Sequence, residues 1–197
     1  MRESNKLGAA IIGVIGTLLG TVLGWFLNVL SNKGKITVYL SSWTDAFRHN
    51  DNEGFMTNST SESQAEYYEF ECSLDIYNSS SDTKILRDIK IVFQRGKTIL
   101  FGIDPDDKKT KRKASGRIIY DRITAQNIPP KSVVRVDMVS GLWIKEAQLE
   151  RVFSTDSVHL EYLDEKNKLH RTMIKSINYQ NYFNDLEGQN GQDEDAE

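Results

Sequence analysis

The sequence predicts an N-terminal transmembrane α-helix followed by an all-β antiparallel sandwich with at most one short helix. Three observations carry this. Leu7–Leu30, LGAAIIGVIGTLLGTVLGWFLNVL, holds no charged residue in 24 positions. At about 1.5 Å per residue it spans roughly 36 Å, enough to cross a hydrocarbon core of about 30 Å. In Tyr67–Tyr77, Tyr68, Phe70, Cys72, Leu74 and Ile76 alternate strictly with Glu69, Glu71, Ser73 and Asp75, the period of a strand with one buried face. Short strand-like runs punctuated by Gly, Pro and Asn fill the remainder without β-α-β alternation, which disfavours a Rossmann-like sheet.

Within the helix, Ala9, Gly13, Gly16, Gly20 and Gly24 fall on an arc of about 80° at 100° per residue. The arc extends the small-x-x-x-small pattern through which membrane helices approach closely, and homo-oligomerisation is expected from it. Arg2 and Lys6 precede the run as in a cleavable secretory signal. A signal core is only about 7–15 residues and ends at a small-x-small site, whereas this run is longer and ends in Gly24-Trp25-Phe26-Leu27-Asn28-Val29-Leu30, so an uncleaved anchor is expected. Lys33, Lys35 and Arg48 on the C-terminal side outweigh Arg2 and Lys6, which Glu3 offsets, placing the following domain in the cytoplasm.

The expected boundaries are a tail at 1–6, the membrane helix at 7–30, a linker at 31–34, the sandwich at 35–184 and an acidic tail at 185–197. Lys35–Thr44 reads as the first strand, with Ile36, Val38 and Leu40 on one face. Residues 45–64, DAFRHNDNEGFMTNSTSESQ, are polar and aperiodic and are expected to form a long loop. After the Asn78–Thr83 turn, Ile89, Ile91 and Phe93 lead through Arg95-Gly96-Lys97 to a returning strand at Thr98–Ile103, a hairpin by its connection. Arg117–Thr124 and Ser132–Val139 are further strands, separated by Pro129-Pro130, which cannot lie inside a central strand. Gly141–Phe153, with Leu142, Glu146, Leu149 and Phe153 at helical spacing, is the one expected helix beyond the anchor. Val158–Leu163 and Leu169–Ile177 form a last hairpin around Asp164–Lys168.

The architecture is immunoglobulin-like or C2-like in outline, although the Cys…Trp…Cys pattern of true immunoglobulin domains is absent. In outline the chain resembles the small membrane-anchored β-sandwich proteins of bacteria.

Charge is uneven. Of 28 acidic groups, six lie in residues 185–197, leaving 22 against all 25 basic groups in residues 1–184 and a net charge there of +3. The tail, EGQNGQDEDAE, has too little apolar content to offset its ordering entropy. The lone Cys72 cannot form an internal disulfide, which suits a reducing compartment. It lies on the apolar face of its strand, the setting of an inert core thiol rather than a nucleophile. The sequons Asn58-Ser59-Thr60 and Asn78-Ser79-Ser80 are common by chance in loops.

His49, His159 and His170 are the only histidines; no CxxC or HxxxH spacing accompanies them, and positions 159 and 170 do not lie opposite each other in the last hairpin, so no metal site is expected. Asp104-Pro105-Asp106-Asp107 lacks the glycine and closing glutamate of a calcium loop. No GxSxG, P-loop, HExxH or kinase-like set occurs, and neither catalysis nor a cofactor is expected. The basic run of Lys108, Lys109, Lys111, Arg112 and Lys113, followed by Arg117, is expected to be a surface loop. On an anchored domain it suits anionic headgroups, with a solvated connection as the plain alternative. Nucleic acid is disfavoured because no aromatic residues interleave the cations.

These features converge on a single-pass anchored, non-enzymatic interaction or scaffold protein of the cell membrane. Its expected partners are membrane lipids, further copies of itself, and a protein or small ligand. The rival reading is a membrane-disrupting or pore-forming effector whose β domain senses a ligand. A stable aqueous pore normally requires more polar lining than Thr17 and Thr21 supply.

Overall fold

The computed structural model describes residues 2–32, 34–114, 116–143, 146–179 and 182–183. Helix α1 (Arg2–Asn32) is followed by β1 (Ile36–Asn50), β2 (Met56–Asn58), β3 (Tyr67–Asn78), β4 (Lys84–Arg95), β5 (Thr98–Ile103), β6 (Asp106–Ala114), β7 (Arg117–Arg122), β8 (Ala125–Ile128) and β9 (Val133–Trp143). Helix α2 (Glu146–Phe153), β10 (Ser157–Leu163) and β11 (Leu169–Ser176) complete the elements. One sheet runs β2-β1-β3-β9-β6-β7 and the other β11-β10-β4-β5, with β8 pairing with β4 beyond the end of β5. The protein is an N-terminal helix followed by an antiparallel β-sandwich with one short helix.

The sandwich follows from one stripe. On β3, Tyr68, Phe70, Cys72, Leu74 and Ile76 are all buried, and their removal from water requires a second layer. Leu86, Ile89, Ile91 and Phe93 of β4, with Val158 and Leu160 of β10, belong to the same core. Trp43 stacks on Phe70 with ring centroids 4.9 Å apart, and Phe93 stacks on Phe101 at 4.5 Å.

Several segments differ from the sequence expectation. Residues 45–64 are not one long loop: β1 continues to Asn50 and pairs with β3 through Arg48↔Tyr67 and with β2 through Arg48↔Asn58, leaving a turn at 51–55 and a connection at 59–64 that carries a 3-10 turn at Glu62–Gln64. The pairing jumps from Leu40↔Leu74 to Ser42↔Ser73. This β-bulge moves the inward positions from Ile36, Val38 and Leu40 to Trp43 and Phe47, and Phe47 is 1% exposed. One extra residue reverses every later side chain, so the stretch has no single period. The basic run is likewise a strand, β6, not a loop. Gly141–Trp143 belong to β9, and the helix begins only at Glu146. The short β2 and β8 were not anticipated. The residues of the acidic tail, 185–197, lie outside the described residues.

Asn78 is a structural hub and not a glycan acceptor. It is fully buried; its Nδ2 donates to the carbonyls of Asp82 (2.7 Å), Ile128 (3.0 Å) and Pro129 (3.1 Å), and its Oδ1 accepts from the backbone N–H and hydroxyl of Ser80. The neighbouring turn receives the start of β1: Lys35 N–H donates to Ser79 Oγ at 2.8 Å, and the Ser79 N–H donates to the Lys35 carbonyl at 3.1 Å. A Cβ on Gly34 would collide with the Ser79–Ser80 backbone, so only glycine permits this approach.

Replacing Asn78 with Ala is expected to cost about 2–4 kcal/mol, because it strands buried carbonyls and Ser80, whereas Asn58→Ala, at an exposed side chain, should stay within about 0.5 kcal/mol. Thermal or urea unfolding of the two variants side by side checks this; equal midpoints would remove Asn78 from the role of hub.

Candidate binding groove

The groove arises from a second irregularity in the β2-β1-β3-β9-β6-β7 sheet. Strand β6 pairs with β9 only at Asp106↔Val139 and Asp107↔Met138. Its pairing with β7 then jumps from Asp107↔Asp121 to Arg112↔Ile119, so β6 contains three more residues than its partner over this stretch. Asp107 and Thr110 hold the bulge: Lys109 N–H donates to Asp107 Oδ1 (2.9 Å), Thr110 Oγ1 donates to the Asp107 carbonyl (2.7 Å), and Asp121 N–H donates to Thr110 Oγ1 (2.7 Å). Bulges beside sheet edges re-aim the strand and its side chains.

Between β7 and the outward face of β1, β3 and β9 lies a groove of about 740 Å³. Ile118, Ile119 and Tyr120 contribute from β7; Thr44, Ala46 and Arg48 from β1; Tyr67, Glu69 and Glu71 from β3. Gly141 lies under the Tyr67 ring, where a Cβ would collide with the Tyr67 hydroxyl and the Tyr68 carbonyl oxygen. The same ring packs on Trp143 at 5.0 Å, and Trp143 and Ile118 remain at least half exposed.

The groove's charges are internally compensated. Arg48 pairs with Glu69 at 2.6 Å and Lys108 with Glu71 at 2.5 Å. Burial, then Glu69 and Asp106, push the Tyr67 hydroxyl above its ordinary pKa. Burial raises the Asp106 carboxyl, Arg122 opposes the rise and Asp121 adds to it. Tyrosine and tryptophan rings, an exposed isoleucine and paired charges suit a partner that lays down both apolar and hydrogen-bonding groups.

The structure divides the basic run in two. Lys108 is held by Glu71, Lys109 reaches Asp137 at 3.3 Å and the Arg135 carbonyl at 3.1 Å, and Arg112 pairs with Asp121 at 2.7 Å. Lys111, Lys113 and Arg117 are exposed and make no ion pair among the described residues. The histidines are separate: His49 meets Ser59, His159 meets Ser157, and His170 bonds Asp164 at 2.8 Å. His159 pairs with Met173 and His170 with Tyr162, so the two are not opposite each other, as the turn position predicts. Asp104 of the acidic turn pairs with Arg122 at 3.0 Å. Cys72 is buried and its thiol is pushed up to about 12 by burial and by Asp137.

On α1, Gly13, Gly16, Gly20 and Gly24 have nothing within 4 Å of where a Cβ would stand; Ala9 lies outside the part of the helix whose side chains are described. Sequence reasoning missed the groove and a carboxylate at the far end of β1. The Tyr68 hydroxyl donates to Asp45 Oδ2 at 3.2 Å, the Tyr179 hydroxyl donates to the same oxygen, and the two hydroxyls meet at 2.6 Å. Burial comes first in raising both tyrosine pKa values, with Asp45 contributing. The aromatic residues Tyr179, Tyr182 and Phe183 after the last strand were the available signal, since each packs on Phe47.

The model of the YopI Ig-like domain matches residues 34–175. The SPbeta prophage-derived uncharacterized protein YopI of Bacillus subtilis (strain 168) is 28% identical over 176 residues, covering 86% of this chain and 98% of that protein. An uncharacterized β-sandwich protein from Clostridium difficile 630 is 10% identical, covering 73% of this chain and 91% of its own, with a TM-score of 0.31. With the family's domain matched from the residue that enters β1 to the last strand, this chain belongs to the YopI Ig-like domain family.

Proposed function

We propose that this chain is a single-pass, membrane-anchored, non-enzymatic binding protein whose sandwich receives a protein or small ligand in the β7 groove. The observation that carries the reading is the solvent side of α1. Ile12–Leu30 is long and apolar enough to cross a membrane and no part of it is buried against the chain; Ile12, Leu19 and Trp25 are each more than 60% exposed. A continuous apolar surface of this kind is stable only when lipid or other apolar helices cover it.

The open glycine face supports association of protomers inside the bilayer. The threonine hydroxyls do not favour a pore: Thr17 Oγ1 donates to the Gly13 carbonyl and Thr21 Oγ1 to the Thr17 carbonyl, each at 2.9 Å, which satisfies them within the helix. The groove residues Thr44–Arg48 lie 8–12 residues along β1 from Ile36, or about 26–40 Å at 3.3 Å per residue. The groove thus faces a soluble partner better than a lipid surface. A buried, unpaired cysteine and the lysines following α1 support a cytoplasmic sandwich.

Sodium carbonate extraction of membranes tests anchoring: the full chain should stay in the pellet, and release into the supernatant would make the helix a signal or a packing element. Gly20→Leu should keep the chain in the pellet while reducing intramembrane crosslinking by roughly tenfold; unchanged crosslinking in Gly16→Leu and Gly20→Leu alike would remove that face as the interface. Affinity capture from membranes, compared with a Tyr120→Ala/Ile118→Ser variant, tests the groove: partners lost only in the variant identify its occupant, and an identical set from both proteins would place binding elsewhere.

A further inference from the structure

A second cavity, of about 210 Å³, opens beside the residues that connect α1 to the sandwich. Gly34, Lys35, Lys84, Tyr162, Glu165 and His170 are among its walls. Gly34 is four residues beyond Leu30, where the apolar run ends, so the chain limits their separation to about 14 Å. The polar headgroup layer occupies about 5–8 Å beyond the hydrocarbon on each side, so an anchored α1 holds the cavity mouth in that layer or less than about 10 Å outside it.

The walls carry both charges. Asp164 is committed to the loop: its Oδ1 accepts the N–H groups of Lys166 (2.8 Å) and Lys168 (2.9 Å), and its Oδ2 meets His170 Nε2 at 2.8 Å. Tyr162, 5% exposed, stacks on the His170 ring with centroids 5.2 Å apart and an interplanar angle of 14°. Lys84 Nζ takes one oxygen of Glu165 at 2.8 Å. The other Glu165 oxygen and the Lys35 ammonium have no ion-pair partner among the described residues. A simple anion entering here would meet Glu165, and a simple cation would meet Lys35 and Lys84. A group carrying both charges is complementary to both. At about 30 Å³ per water, 210 Å³ is the room of roughly seven waters, the scale of a phosphate ester bearing an amine.

We infer that this cavity binds the zwitterionic headgroup of a membrane phospholipid, the phosphate between Lys35 and Lys84 and the ammonium at Glu165. The inference rests on the anchored reading above, because the lipid reaches the cavity only if α1 is in the bilayer. The same chemistry exists in a soluble form, glycerophosphoethanolamine, and the test separates the two sources.

Native mass spectrometry of the full chain in detergent, with added phosphatidylethanolamine, phosphatidylglycerol or glycerophosphoethanolamine, reads the occupancy directly. Retention of one phosphatidylethanolamine per chain is expected, preferred about tenfold or more over each of the other two. Lys35→Ser and Glu165→Gln should each lower retention about tenfold without changing the circular dichroism spectrum, and Lys111→Ser with Lys113→Ser should leave it unchanged. Equal retention of phosphatidylethanolamine and phosphatidylglycerol, or indifference to both cavity substitutions, overturns the proposal. Equal binding of glycerophosphoethanolamine and the lipid overturns the membrane source. A chain that resists carbonate extraction yet retains no lipid refutes the cavity alone, whereas release by carbonate refutes the anchor.

Discussion

The structure depends on the inward stripe of β3, which must be covered on its whole length from Tyr68 to Asn78. Its apolar members are matched by β4 and β10 across the sandwich, and its end residue, Asn78, closes the stripe with hydrogen bonds instead of packing. A buried amide with every valence used is tolerated where an unsatisfied one is not. That single residue therefore joins β3 to the β8–β9 connection and to the turn that receives β1, and the two ends of the strand are stabilised by different physics. At Tyr68 the closure is aromatic, with Phe47, Phe93 and Tyr179 around it.

How much of this was legible depended on whether a strand keeps one period. β3 has no irregularity, so its alternation gave both its faces, and Cys72 fell inside as expected. β1 carries a bulge near Ser41, and its second half therefore read as polar loop although Phe47 is among the most buried residues. β4 bends at Asp88, whose φ is +49°; the strand's buried positions step from Leu86 to Ile89 there, and only Ile89, Ile91 and Phe93 had been recognised. The basic strand β6 escaped for a different reason. Both of its faces are largely solvated, so it carries no hydrophobic period at all, and its strand character comes from the ladders to β7 and β9.

The same distinction governs the candidate sites. A site made of a motif can be read from spacing; the groove is made by a three-residue misregister and by outward side chains from four strands that lie far apart in sequence. The cations supplied a location but not a role, since Lys108, Lys109 and Arg112 are engaged with acids on β3, β7 and β9 that the sequence scatters over sixty-odd residues. Surface pairs of this kind contribute little stability individually. Their effect is to fix the hairpin over the sheet.

Gly34 has a mechanical consequence. Because the chain is clamped to the Ser79–Ser80 turn immediately before β1 begins, a pull reaching Gly34 enters the sandwich at the first residues of β1 and along its axis. The ladder from Ile36↔Asn78 to Arg48↔Tyr67 has its hydrogen bonds perpendicular to that axis. The load is then shared in shear across the whole ladder rather than peeled from one bond to the next.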